Sequence, residues 1–113
     1  MPVQRAIAAF KTRRLNCAQS VLHAFQQEHF VPDEAIRQAR QFGGGHAEAG
    51  RCGALHGALQ LVDEDSARSQ LRKAFAAKAG SEKCHEIRKS KTMSCEQCVE
   101  LAAELVAGLG RGR

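Results

Sequence analysis

The composition of this sequence favours helices over strands along almost the whole chain. No stretch of five or more residues alternates clearly between apolar and polar side chains, and β-branched residues are scarce. Ala, Gln, Glu, Arg, Lys and Leu, all good helix formers, dominate the sequence. We therefore predict an all-α fold, a compact bundle of about five to seven short helices. With 113 residues, the chain fits a single domain over residues 1–113, in which residues 108–113 form a frayed tail.

Capping residues and chain breakers set the predicted helix boundaries. Asn16 and Gln19 have the spacing of a capping box before the second helix, and Pro32 breaks the chain before the third. Gly80 is expected to end the fifth helix. The third, sixth and seventh helices are expected to be capped by Asp33, Ser81 and Ser94. The predicted helices cover approximately residues 3–13, 17–25, 34–41 and 52–62. A fifth helix begins at the acidic run of residues 63–65 and stops at Gly80, and a short turn around residues 84–87 precedes the last helix, at residues 95–107.

Composition and charge also limit the functions that the protein can have. No apolar run approaches the ~18 residues that a membrane span needs, so we expect no membrane association. The first residues lack the pattern of a secretory signal, so we expect a cytoplasmic protein. The formal net charge is +5, but the basic residues are spread along the chain, and the aromatic residues are five Phe with no Trp or Tyr. Because base stacking uses exposed aromatic side chains, a nucleic-acid partner is not expected.

Five cysteines are the most informative residues for function. They are Cys17, Cys52, Cys84, Cys95 and Cys98. An odd number of cysteines, with no sign of export, argues against a structural disulfide framework. All five fall at or near predicted helix starts, where partial positive charge and free N–H groups stabilise a thiolate or a thiolate-bound metal. The sequence therefore predicts metal binding or thiol redox chemistry.

The spacing of the cysteines leaves several functions open. Cys95 and Cys98 form the one CxxC pair, whereas zinc fingers and ribbons use two close pairs. Val99 follows Cys98, so covalent c-type haem attachment is excluded. The alternatives are an iron–sulfur or other metal centre built from remote cysteines, a zinc-binding structural or interaction module, and a thiol–disulfide redox protein that uses Cys95 and Cys98. A basic helical binding module with incidental cysteines ranks last.

Cys17, the segment Gly50–Gly57 around Cys52, Cys84 and Cys98 together resemble the motif of the C_GCAxxG_C_C family, small proteins described as redox-active. The resemblance covers roughly residues 15 to 107 and includes four cysteines and several glycines in order. Cys95 is additional to the four-cysteine pattern, and Gly53 follows Cys52 directly. The matching segments are Asn16–Val21, Phe42–Gly45, Gly50–Gly57, Cys84 and Cys98.

The resemblance implies a redox role and a set of site residues. A similar cysteine-rich region of split-Soret cytochromes is associated with an iron–sulfur cluster. By that similarity, a [2Fe–2S] cluster would have as ligands Cys17, Cys52, Cys84 and Cys98, with Cys95 as an additional candidate. The candidate cofactor-binding glycines are Gly43, Gly44, Gly45 and Gly53, through their backbone N–H groups and close helix packing. Zinc, or no cofactor, is the alternative. We also expect a redox partner protein and a homodimer.

Overall fold

The computed structural model describes residues 2–12, 15–42 and 50–111. Within them lie seven α-helices, and a 3₁₀ helix (Ala39–Phe42) follows the third. The described residues contain no β-strand, and one isolated antiparallel bridge joins Arg51 to Lys83. The predicted all-α fold is therefore confirmed. The α-helices are α1 (Pro2–Thr12), α2 (Cys17–Ala24), α3 (Asp33–Gln38), α4 (Gly53–Gln60), α5 (Asp65–Ala79), α6 (Cys84–Ser90) and α7 (Cys95–Arg111).

Two capping boxes start the two helices that carry most of the fold. At α2, the Asn16 side chain accepts a hydrogen bond from the Gln19 N–H at 2.8 Å, and the Gln19 side chain accepts one from the Asn16 N–H at 3.0 Å. Ser94 and Gln97 form the same pair before α7, at 3.1 and 2.8 Å. Gly80 ends α5 with a left-handed φ of +89°. These three predicted boundaries are confirmed.

Two other predicted caps are wrong. Pro32, not Asp33, occupies the N-cap of α3, because its restricted ring already gives the extended backbone that this position requires. Asp33 is the first helical residue, and its carboxylate accepts a hydrogen bond from the Gln26 amide at 2.5 Å. Lys83, not Ser81, directly precedes α6. The Ser81 hydroxyl instead accepts a hydrogen bond from the Lys83 N–H at 3.0 Å, which shapes the turn before the helix.

Several helix ends differ from their predicted positions. The third helix changes to 3₁₀ geometry after Gln38, and α4 ends at Gln60, two residues earlier than expected. In contrast, α7 continues to Arg111, past the start of the predicted tail. Gly108 is tolerated there because it lies in open space and costs only helix propensity. The predicted end of the first helix at Arg13 lies outside the described residues.

The core is centred on α2, α4 and α7. Helix α2 packs against α1, α4 and α7, and α7 also packs against α1, α4 and α5. Fully buried side chains of Phe75, Leu22, Leu55, Leu59 and Leu71 fill the space between the helices. The Cα radius of gyration is 12.4 Å, which is compact for a chain of this length. No helix within the described ranges is long and apolar enough to span a membrane.

Small residues allow α2 and α4 to pack with their backbones in close approach. A Cβ atom at Gly57 would lie 2.8 Å from the carbonyl oxygen of Ala18 and 3.3 Å from its Cα. Both atoms belong to the backbone of α2, so they can move away only if the two helices separate. Gly57 and Ala18 therefore set the distance between the helix that carries Cys17 and the helix that follows Cys52.

Replacing Gly57 with Ala should destabilise the fold. The backbone clash, at about 1–3 kcal/mol for an overpacked site, outweighs the gain in helix propensity of up to about 1 kcal/mol. Gly108→Ala is the matched control, since a Cβ there meets no heavy atom within 4 Å, and it should leave the stability equal or raised. Urea unfolding followed by circular dichroism measures both. A Gly57→Ala protein as stable as the native one would contradict this packing.

Candidate redox site

All five cysteines line one small cavity between α2, α4, α6 and α7, which we name the cysteine pocket. Its volume is about 20 Å³, room for about one water molecule. None of the five forms a disulfide bond. Four are buried, whereas Cys95 is partly exposed. The other lining residues are Ile87, Arg88 and Met93. The fold thus brings together Cys17, Cys52, Cys84 and Cys98, which are remote in sequence, along with Cys95.

The cysteines reach the pocket from the N-terminal ends of four helices. Cys17, Cys84 and Cys95 are the first residues of α2, α6 and α7. Cys52 is the N-cap of α4, and Cys98 lies one turn into α7. The first N–H groups of a helix lack intrahelical acceptors and carry a partial positive charge. Several helix starts therefore direct positive potential toward the same group of sulfur atoms.

Cys52 and Cys98 form an unequal pair of thiols. A hydrogen bond from the Cys52 thiol lowers the pKa of Cys98. The same hydrogen bond, together with burial, raises the pKa of Cys52 far above its usual range. The two groups therefore favour a state in which Cys52 keeps its proton and Cys98 is the thiolate.

Arg88 is the cation at the edge of the pocket. Its Nη2 donates a hydrogen bond to Cys95 Sγ at 3.4 Å. That hydrogen bond and the nearby charges of Cys95, Cys84 and Cys17 raise the pKa of Arg88. Burial raises the pKa of Cys84, and Arg88 partly offsets this. The sequence reading missed Arg88, although its position four residues after Cys84 on a short helix indicates a shared face.

Gly53 makes room for the sulfur of Cys17. A Cβ atom at position 53 would overlap Cys17 Sγ and would lie 3.0 Å from the carbonyl oxygen of Phe42. The predicted role of Gly53 as a point of close helix packing therefore has a specific physical basis in this structure. Gly43, Gly44 and Gly45, the other predicted cofactor-binding glycines, lie outside the described residues.

The cysteine pattern places the chain among known proteins. Residues 15–109 match the model of the family described as "Putative redox-active protein (C_GCAxxG_C_C)". The chain belongs to this family. The resemblance stated from the motifs is thereby confirmed, and the match contains all five cysteines. No curated protein and no solved structure matches the chain. The chain is therefore a member of a cysteine-containing family that is described as redox-active.

The pocket fits an iron–sulfur cluster in donor chemistry but not in volume. Four cysteine thiolates are the usual ligand set of such clusters, and this family member supplies five. Among the described residues, however, no group of three or more His, Cys, Asp or Glu side chains is arranged around a metal-sized space. A cavity of about 20 Å³ accommodates a cluster only if the lining side chains move.

A larger cavity lies away from the cysteines. It measures about 420 Å³ and is lined by residues that include Leu22, His29, Phe30 and Phe42, with no cysteine among them. Phe30 lies at this cavity with 89% of its surface exposed and a left-handed φ of +54°. The residues that line it offer no thiol.

Replacing Gly53 with Ala should expose Cys17 without unfolding the protein. The new Cβ displaces the Cys17 side chain, so Cys17 should react with iodoacetamide about tenfold faster, a barrier change of about 1.4 kcal/mol. Mass spectrometry of alkylated peptides measures this for each cysteine. Gly108→Ala serves as the control and should change no alkylation rate. An unchanged rate at Cys17 in the Gly53→Ala protein would show that the glycine does not hold this thiol in place.

Proposed function

We propose that the cysteine pocket is the redox centre of the protein and that it holds an iron–sulfur cluster for electron transfer. One observation carries this proposal: four cysteines that are far apart in sequence come from four different helices and line the same pocket. A simple dithiol needs two cysteines, whereas an iron–sulfur cluster needs four ligands. The similarity of the motif to the cysteine-rich region of split-Soret cytochromes supports the same assignment.

The proposed ligands are Cys17, Cys52, Cys84 and Cys98, with Cys95 as an additional candidate. A bound cluster supplies reversible one-electron transfer. The protein provides thiolates at helix N-termini, which are stabilised by backbone N–H groups. Ile87 and Met93 give the pocket an apolar wall, and Arg88 places one positive charge beside the sulfur atoms. Burial and charge of this kind tune the reduction potential of a cluster.

Thiol–disulfide exchange by Cys95 and Cys98 is the second candidate function. Cys95 is partly exposed and contacts Arg88, while Cys98 is buried one turn further along α7. In this reaction, an S–S bond forms between the two cysteines as the S–S bond of a partner disulfide breaks. The two protein thiols lose two electrons and two protons, and the partner leaves as two thiols. A zinc-binding structural module would use the same four ligands and would be redox-silent.

The partners remain part of the proposal. Electron transfer requires a redox partner protein, and a homodimer and a cytoplasmic location stay predictions from the sequence. Binding to a membrane or to nucleic acid is not proposed.

Anaerobic purification followed by an ultraviolet–visible spectrum and analysis of iron, sulfide and zinc tests the main proposal. The chain has no Trp or Tyr, so its own near-ultraviolet absorbance is small and a cofactor is easily detected. We expect visible charge-transfer bands with iron and sulfide in equal amounts. A colourless sample with stoichiometric zinc would support the structural module. A colourless, metal-free sample that forms a Cys95–Cys98 disulfide would support thiol exchange.

Substitution of single cysteines separates the two redox functions. If the cluster proposal is correct, Cys52→Ser and Cys98→Ser should each abolish the visible absorbance, because each removes a ligand. Cys95→Ser should retain most of it. Equal losses in Cys95→Ser and Cys98→Ser would contradict the ligand assignment, whereas a native protein with no visible absorbance to lose would match the dithiol function instead. Circular dichroism of each variant checks that the helices remain folded.

A further inference from the structure

A concentration of positive charge lies along α6, a helix that contributes Cys84, Ile87 and Arg88 to the lining of the cysteine pocket. Residues 83–91 contain four basic residues and one acidic residue, in a chain whose formal net charge is +5. All four basic side chains are exposed. Because a helix rises about 1.5 Å per residue, the segment extends over roughly 12 Å. We name these four side chains the cationic surface: Lys83, Arg88, Lys89 and Lys91.

The acidic side chains near this surface are engaged elsewhere. Glu86 accepts a hydrogen bond from the Ser81 hydroxyl at 2.6 Å. Glu82 forms ion pairs with Arg72 at 2.8 Å and with Arg51 at 3.8 Å. Within the described ranges, no carboxylate lies within 4.0 Å of a cationic-surface side chain. Glu86 keeps its negative charge, but four basic side chains outnumber it, so residues 83–91 present a net positive charge to a partner.

The cationic surface is continuous with the redox centre through Arg88. This side chain is exposed, yet it also lines the cysteine pocket and contacts Cys95 Sγ. Cys95 is also the partly exposed member of the five cysteines. A partner that binds α6 therefore comes next to the place where the pocket is nearest to solvent.

We propose that the cationic surface docks an acidic redox partner protein that exchanges electrons with the cysteine pocket. This inference rests on the proposed function of the pocket as a redox centre. Charge complementarity of this kind steers partners to a site and raises their rate of association. In each exchange, one electron leaves the reduced pocket and enters the oxidised partner. An acidic protein is favoured over a nucleic acid because α6 carries no Phe, Tyr or Trp side chain for base stacking.

The test measures how fast the anaerobically reduced, full-length protein is oxidised by two small reagents of opposite charge. Ferricyanide is the anionic oxidant and hexaammineruthenium(III) the cationic one; each takes one electron from the protein. The test variant is Lys89→Glu with Lys91→Glu. The control is Lys73→Glu with Lys78→Glu, which makes the same change in net charge at exposed positions of α5, a helix that does not line the pocket.

At an ionic strength of about 0.1 M, where the Debye length is about 10 Å, the test variant should react with ferricyanide about tenfold more slowly and with hexaammineruthenium(III) faster than the native protein. The control should change either rate by less than about twofold, because its charges lie on α5, which does not line the pocket. The difference in rate between the test variant and the native protein should become smaller as salt is added. Equal rate changes in the two variants would overturn the proposed docking role of the cationic surface. If the native protein transfers electrons to neither reagent, the proposed function is overturned, and the proposed docking role of the cationic surface is overturned with it.

A second measurement identifies the class of partner. Polyglutamate, as an acidic polypeptide probe, should slow the oxidation of the native protein by ferricyanide and should not slow that of the test variant. Stronger inhibition by single-stranded DNA of equal charge would assign the surface to nucleic acid and overturn the acidic-protein assignment. Absorbance and metal content, compared among the three proteins, check that the substitutions leave the pocket itself unchanged.

Discussion

The close contact between α2 and α4 is the constraint on which the redox site depends. Gly57 lies against the backbone of Ala18, and Gly53 leaves space for the sulfur of Cys17. A side chain at Gly57 would force the helices apart, and one at Gly53 would displace Cys17 Sγ, so either would move Cys17 relative to Cys52, which precedes α4. The glycines next to Cys52 thus have a packing role that directly determines where two thiols meet. The remaining cysteines arrive on α6 and α7, of which α7 packs against both α2 and α4.

Bringing five thiols together creates an electrostatic problem that the fold only partly relieves. Burial and mutual repulsion disfavour several thiolates at once, as the raised pKa values of Cys52 and Cys84 show. Helix N-termini and Arg88 favour negative charge at the same place. Cys98 differs from Cys52 and Cys84, because the hydrogen bond from the Cys52 thiol lowers its pKa. Metal binding must displace the remaining protons, so it is coupled to pH.

The sequence predicts the helices better than it predicts the site. Capping boxes at Asn16 and Ser94 and the stop at Gly80 are local signals, and all three are correct. The predicted N-cap at Asp33 is wrong because the preceding residue, Pro32, already has the extended backbone of the N-cap position. The convergence of the cysteines comes from helix packing over long sequence distances, so spacing alone could not establish it. Arg88 was missed because its contact with Cys95 joins α6 to α7 across a turn.

Arg88 links the two parts of the proposed mechanism through a single side chain. A guanidinium at the edge of the pocket stabilises negative charge on the sulfur atoms, and its exposed position adds to the positive potential of α6. Oxidation removes an electron and lowers the negative charge of the pocket, so the attraction between Arg88 and the sulfur atoms weakens. Less of the positive charge of Arg88 is then balanced by the sulfur atoms, so the electrostatic potential outside the pocket becomes more positive. The electrostatic potential that an acidic partner would meet therefore depends on the redox state of the pocket.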